Sequence, residues 1–261
     1  MIKVKKIFIL SMVLFCFVSF SNVKADDVNP AAYGIETSEE WIFTKRSLYS
    51  ESYASVADNV NYWIGKVTTD AFLFKLSDEI NTSTTYDYYL VAYKVSVLPL
   101  VSKKKYNWFN NFYGWSECLN VSADYSNGEK ITNYSPVTEN PEISYSVGLS
   151  MGLSGKSVEA GLSLGMCTTE SALKITANND SSNRKLKIKY DYLCDILHSK
   201  SYLTNETIQY GMFIVEVKKN SYYSVRLNVD MAFNPASGWS NFIQVNTNNN
   251  SKCHAGGKYV F

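Results

Sequence analysis

Residues 143–166 alternate apolar and small side chains along two stretches that flank a short turn, ISYSVGLSMGLS-GK-SVEAGLSLGM. Strict alternation is typical of a β-strand, because successive side chains point to opposite faces. The turn is Gly155-Lys156, and a two-residue loop that begins with glycine is typical of a type II′ hairpin. This turn predicts two antiparallel strands in one register, with the pairs Ser154 and Ser157, Leu153 and Val158, Met151 and Ala160, continuing to Tyr145 and Met166.

In this register all the apolar residues of the hairpin fall on one face. They are Ile143, Tyr145, Val147, Leu149, Met151, Leu153, Val158, Ala160, Leu162, Leu164 and Met166. The other face consists almost wholly of residues that supply little packing, namely Ser144, Ser146, Gly148, Ser150, Gly152, Ser154, Glu159, Gly161 and Ser163. The only charges of the segment, Lys156 and Glu159, lie at or beside the turn.

Each predicted strand has the length of a strand that crosses a membrane. About eleven residues at ~3.3 Å each, tilted by about 45°, span roughly 26 Å, which is close to the apolar band of an outer-membrane-type barrel. One hairpin leaves unpaired edges that lipid does not tolerate, so copies from several chains would have to close the barrel. The pattern therefore predicts a stem that inserts into a target membrane, with the apolar face toward lipid and the small face toward the lumen.

The same alternation also fits an ordinary hairpin of a soluble β-sandwich. In that case the apolar face would pack in the core and the small face would meet solvent or a loop. The two interpretations differ in how the hairpin is attached to the rest of the molecule. A stem must be detachable, whereas a central pair of strands is bonded along both edges.

The rest of the chain favours strands over helices. Its 20 Tyr, 13 Phe and 5 Trp suit a pleated, half-buried surface. Turn-forming residues separate β-rich runs at 41–43, 62–67, 71–76, 86–100, 118–123, 173–175, 186–192, 208–217, 222–231 and 242–245. This spacing predicts a mainly β fold, a β-sandwich that carries the long hairpin. One segment, 47–61, suggests a helix.

Residues 1–25 have the organisation of a cleaved secretory signal. Lys3, Lys5 and Lys6 precede an apolar run at 7–20, and the small-residue site Val23-Lys24-Ala25 follows. The run is shorter than the roughly 20 residues of a membrane-spanning helix. We therefore expect a secreted protein with a single β-sandwich domain at 26–261, in which 143–167 forms the stem hairpin.

The charge balance argues against a nucleic-acid partner. Four of the 25 basic residues lie in the leader, so the 24 acidic residues are in slight excess in the remainder. Affinity for nucleic acids depends on clustered Lys and Arg that neutralise phosphates. We expect no nucleic-acid binding.

Cysteines outside the leader are even in number, as in many exported proteins with disulfides. They are Cys118, Cys167, Cys194 and Cys253. Four cysteines allow three pairings that the sequence does not rank, and free thiols are also compatible with a core of this size.

An aromatic cluster within eight residues is the second candidate for contact with a surface. It comprises Trp108, Phe109, Phe112, Tyr113 and Trp115. Amphipathic rings suit the membrane–water interface and also stack on sugar faces, whereas core packing is the structural alternative. The cluster supports an alternative function, a secreted non-enzymatic binding module for a glycan or a cell surface.

Enzymatic motifs are weak in this sequence. The string Gly161-Leu162-Ser163-Leu164-Gly165 matches G-x-S-x-G, and Asp191 or Asp195 and His198 follow in a possible triad order, but Ser163 lies within strand alternation instead of a strand-to-helix turn. Cys253-His254 lacks the companion ligands of a metal site. We predict a protein that is not an enzyme, with no catalytic residue, metal or organic cofactor.

The stretch 115–192 resembles the leukocidin/alpha-hemolysin family of secreted bacterial pore formers. A strand at 118–123 leads to ITNYSP at 131–136, then to the Ser/Gly-alternating hairpin, the polar stretch 177–183 and a strand at 186–192. The resemblance implies a β-sandwich cap, a membrane-facing rim and a stem formed by 143–166. It also implies a cytolysin that assembles into a homo-oligomer on a target membrane or cell surface.

Overall fold

The computed structural model describes residues 28–35, 37–55, 63–102, 112–126, 129–138, 150–154, 157–161, 173–192, 206–237 and 253–261. Over these ranges the chain is built almost entirely of strands, with one short 3-10 turn at Pro30–Tyr33. The strands are β1 (Trp41–Ser55), β2 (Trp63–Leu76), β3 (Tyr86–Pro99), β4 (Val101–Ser102), β5 (Phe112–Tyr125), β6 (Glu129–Ser135), β7 (Ser150–Ser154), β8 (Ser157–Gly161), β9 (Leu173–Asp180), β10 (Lys185–Tyr192), β11 (Thr207–Lys218), β12 (Val225–Ser237) and β13 (Cys253–Val260).

The strands form two antiparallel sheets and a separate hairpin. The first sheet has the order β1-β2-β3-β11-β6, and the second has the order β13-β12-β5-β10-β9, with β4 paired to the start of β5. β7 and β8 form a two-stranded sheet of their own. The mainly β sandwich predicted from the sequence is therefore confirmed.

The main core lies between the two sheets. In β10 the side chains of Leu186, Ile188 and Tyr190 are buried and alternate with exposed lysines, so one face packs inward while the other meets water. Residues such as Val95, Leu119 and Leu227 complete this core from other strands. The alternation of apolar and charged residues in this part of the sequence thus corresponds to a strand that is buried on one face and exposed on the other.

A second apolar cluster covers the outer face of the first sheet. Phe72 and Phe74 of β2 lie on this face, and their rings pack against Tyr33 and Phe43 at centroid distances of 5.2 and 5.5 Å. The segment that precedes β1 thereby buries part of the face that would otherwise meet water. This is why β2 is apolar over consecutive residues near its end.

The sheets approach each other closely near the start of β2 and of β5. A Cβ at Gly114 would lie 1.7 Å from the carbonyl oxygen of Ile64, and a Cβ at Gly65 would lie 2.4 Å from the ring of Phe233. Leu100 joins the same region, since its N–H donates to the Ile64 carbonyl and its own carbonyl accepts from Gly114. Glycine is therefore required at both positions.

The helix predicted at 47–61 is wrong for residues 47–55, which belong to β1. Tyr49, Glu51 and Tyr53 alternate with smaller residues there, and the strand pairs with β2 along its length. Tertiary pairing thus overrides the weak helical pattern. The runs predicted at 62–67 and 71–76 are one strand, β2, while the run predicted at 242–245 and the leader at 1–25 lie outside the described residues.

Among the described residues, no helix is long and apolar enough to span a bilayer.

Candidate functional site

The described part of the hairpin has the register predicted from its sequence. Ser154 pairs with Ser157, Leu153 with Val158 and Met151 with Ala160. Four predicted lipid-facing positions lie in these strands: Met151, Leu153, Val158 and Ala160. The others, Ile143, Tyr145, Val147, Leu149, Leu162, Leu164 and Met166, together with the turn residues Gly155 and Lys156, lie outside the described residues.

The described part of the hairpin lies beside the sandwich and belongs to neither of its two large sheets. Within the part of the chain that the structure describes, β7 and β8 pair with each other and with no strand of the two larger sheets. β8 lies near β6, with Cα atoms of the two strands within 8 Å. Because β6 is an edge strand of the first sheet, the described part of the hairpin lies next to the edge of that sheet and not in its middle.

The hairpin leaves the body at a seam between the sheets. The chain enters it after β6 and returns from it into β9, and these are edge strands of the first and second sheets. Asn179 of β9 donates through Nδ2 to the carbonyl of Ile131 in β6 at 3.2 Å. A hydrogen bond thus ties the two edges on either side of the insertion.

Thr138 strengthens this seam at the foot of the hairpin. Its hydroxyl donates to the carbonyl of Ala177 at 2.8 Å and accepts from the N–H of the same residue at 2.9 Å. Ala177 pairs with Ile188 on one side only, because β9 is an edge strand. Thr138 therefore satisfies backbone groups that an edge would leave unpaired. No local sequence pattern marks Thr138 for this role.

The described part of the aromatic cluster lies at the end of the second sheet where β9 begins. β9 begins where β10 ends, since Leu173 pairs with Tyr192, and β5 begins just beyond that point. β4 pairs with Phe112 and Tyr113 at the start of β5. Trp115 is half-buried and packs against the main core, and Trp108 and Phe109 lie outside the described residues.

The sequence left disulfides and free thiols open as alternatives, and Cys118 and Cys253 are free thiols. Ala232 of β12 pairs with Cys118 on one side and with His254, the neighbour of Cys253, on the other. Strands two apart in a sheet are separated by about 9–10 Å, too far for a disulfide. Burial raises the pKa of both thiols to about 11. Cys167 and Cys194 lie outside the described residues.

The remaining chemical motifs do not converge on a site in the described structure. Ser163, Asp195 and His198 lie outside the described residues, and Asp191 forms an ion pair with Lys189 at 2.7 Å. His254 contacts Asp230 at 3.0 Å through Nδ1. Within the described ranges, no group of three His, Cys, Asp or Glu side chains is arranged to hold a metal ion.

The fold is thus a two-sheet β-sandwich with a hairpin inserted between edge strands. The chain is similar to the Clostridium perfringens NetB toxin in its membrane-inserted form, with 10% identity, a TM-score of 0.39 and coverage of 82% of this chain and 91% of the toxin. It is also similar to a structure described as a pore-forming protein, with 10% identity, a TM-score of 0.41 and coverage of 85% and 91%. No protein-family model and no curated protein sequence matches the chain.

Proposed function

We propose that this chain is a secreted, non-enzymatic pore-forming protein that oligomerises on a target membrane and inserts the hairpin 143–166. One observation carries the proposal: the described part of the hairpin forms its own two-stranded sheet, outside the hydrogen-bonded ladders of the sandwich. Release of such a hairpin leaves both ladders intact. A hairpin in the centre of a sheet could not leave at so low a cost.

The composition of the hairpin supports insertion. Its apolar face follows every second position, and removal of each large apolar side chain from water is favourable by about 1.5–3 kcal/mol. Hydrogen bonds between neighbouring copies would satisfy the two edges of each hairpin in lipid. The small face would line the lumen, and Gly155-Lys156 would form the tip that reaches water on the far side.

The domain organisation follows from this function. A secretory signal at 1–25 precedes one β-sandwich domain at 26–261, whose body stays outside the membrane while residues 143–167 rearrange. The attachment of the hairpin at the seam between β6 and β9 supports this division, because both edges remain tied to each other when the hairpin moves.

A glycan- or cell-surface-binding module is the second candidate function. It is favoured by the position of Phe112 and Tyr113, which begin β5 at the end of the second sheet where β9 also begins. In this function Trp108, Phe109, Phe112 and Tyr113 would contact the target and the hairpin would be scaffold.

Dye release from liposomes distinguishes the two functions. Neutral, anionic, sterol-containing and glycolipid-containing vesicles are each loaded with a self-quenching dye and mixed with the wild-type protein, Met151→Arg or Ser150→Arg. The two variants place the same charge on adjacent positions of opposite faces. An arginine on the lipid face costs about 2–4 kcal/mol per protomer near the bilayer midplane, whereas one in the lumen meets water.

We expect leakage from at least one vesicle type with the wild-type protein and with Ser150→Arg, and none with Met151→Arg. Ser150→Arg should also make the pore selective for anions. Binding to vesicles without leakage across the whole panel would contradict pore formation and favour the binding module. Equal leakage from both arginine variants would contradict insertion of this hairpin.

A further inference from the structure

The outer face of the first sheet carries an exposed aromatic strip near the start of β2. The strip consists of Tyr49, Glu51 and Tyr53 of β1 with Trp63 and Lys66 of β2. Tyr49, Tyr53 and Trp63 are 54%, 38% and 39% exposed. The second apolar cluster buries the same face farther along β2, so the strip is the part that remains open.

Two of its rings are stacked face to face. The rings of Tyr53 and Trp63 are stacked at a centroid distance of 4.3 Å with an interplanar angle of 24°. Lys66 Nζ lies 5.9 Å from the centre of the Tyr53 ring. More than a third of each of these two side chains stays exposed, so the stack still presents aromatic surface to solvent.

Hydrogen-bonding groups of opposite charge lie beside the stacked pair, and the bonds among them hold them in place. Lys66 Nζ is 2.6 Å from Glu51 Oε1, and the Tyr49 hydroxyl donates to the same carboxylate oxygen at 2.6 Å. The hydrogen bonds from Lys66 and Tyr49 lower the pKa of Glu51, and the bond to Glu51 raises the pKa of Lys66. Both groups are therefore charged near neutral pH, and their charges cancel.

We propose that the strip binds a neutral hexose, such as a terminal residue of a cell-surface glycan. A pyranose ring has one face of C–H groups that can stack on a flat aromatic surface and a rim of hydroxyls that can donate and accept. The exposed pair supplies the surface, and Glu51, Lys66 and Tyr49 supply acceptors and donors within reach of the rim. The balanced charge matches an uncharged sugar better than a sialic acid or a sulfated glycan.

This inference goes beyond pore formation and does not depend on it. The site lies on the sandwich and not on the hairpin, and the pairing of Gly65 with Pro99 places it at the end of the first sheet where β3 leads through Leu100 toward β5. A sugar bound there would hold the protein on a cell surface whether or not the hairpin inserts.

Saturation-transfer-difference NMR in solution, without vesicles, tests the site. The probes are methyl β-D-galactopyranoside and methyl β-D-glucopyranoside, with N-acetylneuraminic acid and choline as charged comparisons. We expect saturation of at least one neutral glycoside, strongest at its C–H face, with Kd on the order of 1 mM for so shallow a site. Trp63→Ala should weaken binding by about tenfold or more.

Two variants and one control make the result decisive. Tyr53→Leu keeps apolar bulk but removes the flat ring. It therefore tests whether sugar binding needs the aromatic pair if Trp63→Ala does not fold. Tyr222→Ala removes a fully exposed tyrosine away from the strip and should bind sugar as the wild-type protein does. Circular dichroism and thermal unfolding establish that each variant is folded.

Three outcomes would overturn the proposal. They are no saturation of either neutral glycoside, binding that survives in folded Trp63→Ala or Tyr53→Leu protein, and preferential binding of choline or N-acetylneuraminic acid. Sedimentation velocity adds a fourth: loss of self-association in Trp63→Ala with unchanged sugar binding would assign the strip to a second copy of the chain. Dye release is scored separately, so failure of sugar binding leaves pore formation to be judged independently.

Discussion

The Thr138 hydroxyl closes a two-way hydrogen bond with the backbone of Ala177, donating to its carbonyl and accepting from its N–H. Thr138 follows β6 and Ala177 lies in β9, so the contact joins the chain just before the hairpin to the strand just after it. The seam is therefore closed at the foot of the hairpin. In the proposed function, the hairpin moves while these two edge strands stay joined.

Thr138→Val should remove both hydrogen bonds to Ala177 while it keeps a side chain of similar size at this position. Loss of two hydrogen bonds at an exposed edge is expected to lower the free energy of unfolding by about 1 kcal/mol and to speed exchange of the Ala177 amide. Hydrogen exchange followed by mass spectrometry measures both effects. Thr132→Val, an exposed position on β6, is the matched control. Unchanged exchange at Ala177 would refute the role of Thr138.

Removal of the hydroxyl should lower the free energy of unfolding more at Tyr190 than at Tyr93. Tyr190 donates to the carbonyl of Tyr210 at 3.1 Å, so Tyr93, whose hydroxyl is 3.2 Å from that of Tyr190, is the donor between them. Tyr190→Phe leaves the buried Tyr93 hydroxyl without its partner, at a cost of about 1–3 kcal/mol, and also removes the hydrogen bond to the Tyr210 carbonyl. Tyr93→Phe leaves the bond to Tyr210 in place and should cost about 1 kcal/mol. Urea unfolding gives both values, and a smaller loss for Tyr190→Phe would contradict this network.

Alkaline pH should destabilise the fold through Tyr192. Burial raises the pKa of its hydroxyl to about 12, whereas an unfolded tyrosine loses its proton near pH 10. The folded state keeps the Tyr192 proton to a higher pH than the unfolded state does. The contribution of Tyr192 to the free energy of unfolding is therefore fully present below pH 10 and is lost as pH rises from 10 to 12. The slope is about 1.4 kcal/mol per pH unit for one such group.

Thermal unfolding between pH 8 and 12 measures this slope. Tyr192→Phe should be less stable at pH 8, because it loses bonds to Thr207 and Gln209, yet should have a shallower alkaline slope. Tyr222→Phe, at a fully exposed position, is the matched control for removal of a tyrosine hydroxyl. An equal slope in Tyr192→Phe and the wild-type protein would show that another group titrates.

Cys118 and Cys253 should be recovered as free thiols from the purified protein. Alkylation under denaturing conditions without a reductant, followed by peptide mapping, is expected to label both. In the native protein at pH 8 a thiol with a pKa of about 11 has roughly a hundredfold less thiolate than one with its ordinary pKa, so labelling should be slow. A peptide that joins Cys118 to Cys167 would contradict the structure and would tether the hairpin.

The hairpin register could be predicted because its determinants are local. A glycine at 155 predicts a two-residue turn, and the alternation on either side leaves one register in which apolar residues pair with apolar residues. Residues 186–192 were predictable for the same reason, since lysines alternate there with buried side chains. In both cases a few neighbouring residues carry the whole signal.

Other features depend on partners far away in the sequence. β1 has a weak helical pattern, and only its pairing with β2 makes it a strand. The cysteine count suggested disulfides, but the insertion of β12 between β5 and β13 separates Cys118 from Cys253. Thr138 and the stacked pair Tyr53 and Trp63 acquire their roles only when distant strands meet. The alternation of Tyr49, Glu51 and Tyr53 was the one signal that could have indicated an exposed strip.

In the proposed function, the hairpin leaves the sandwich and crosses lipid as two strands with one face toward the acyl chains. Single cysteines at 150–154, in a background without native cysteines that still releases dye, can each carry an environment-sensitive fluorophore. On permeabilised vesicles the emission at 151 and 153 should rise and shift to the blue, while that at 150, 152 and 154 should stay water-like. Leakage with unchanged emission at 151 and 153, or an equal rise at all five positions, would contradict the account.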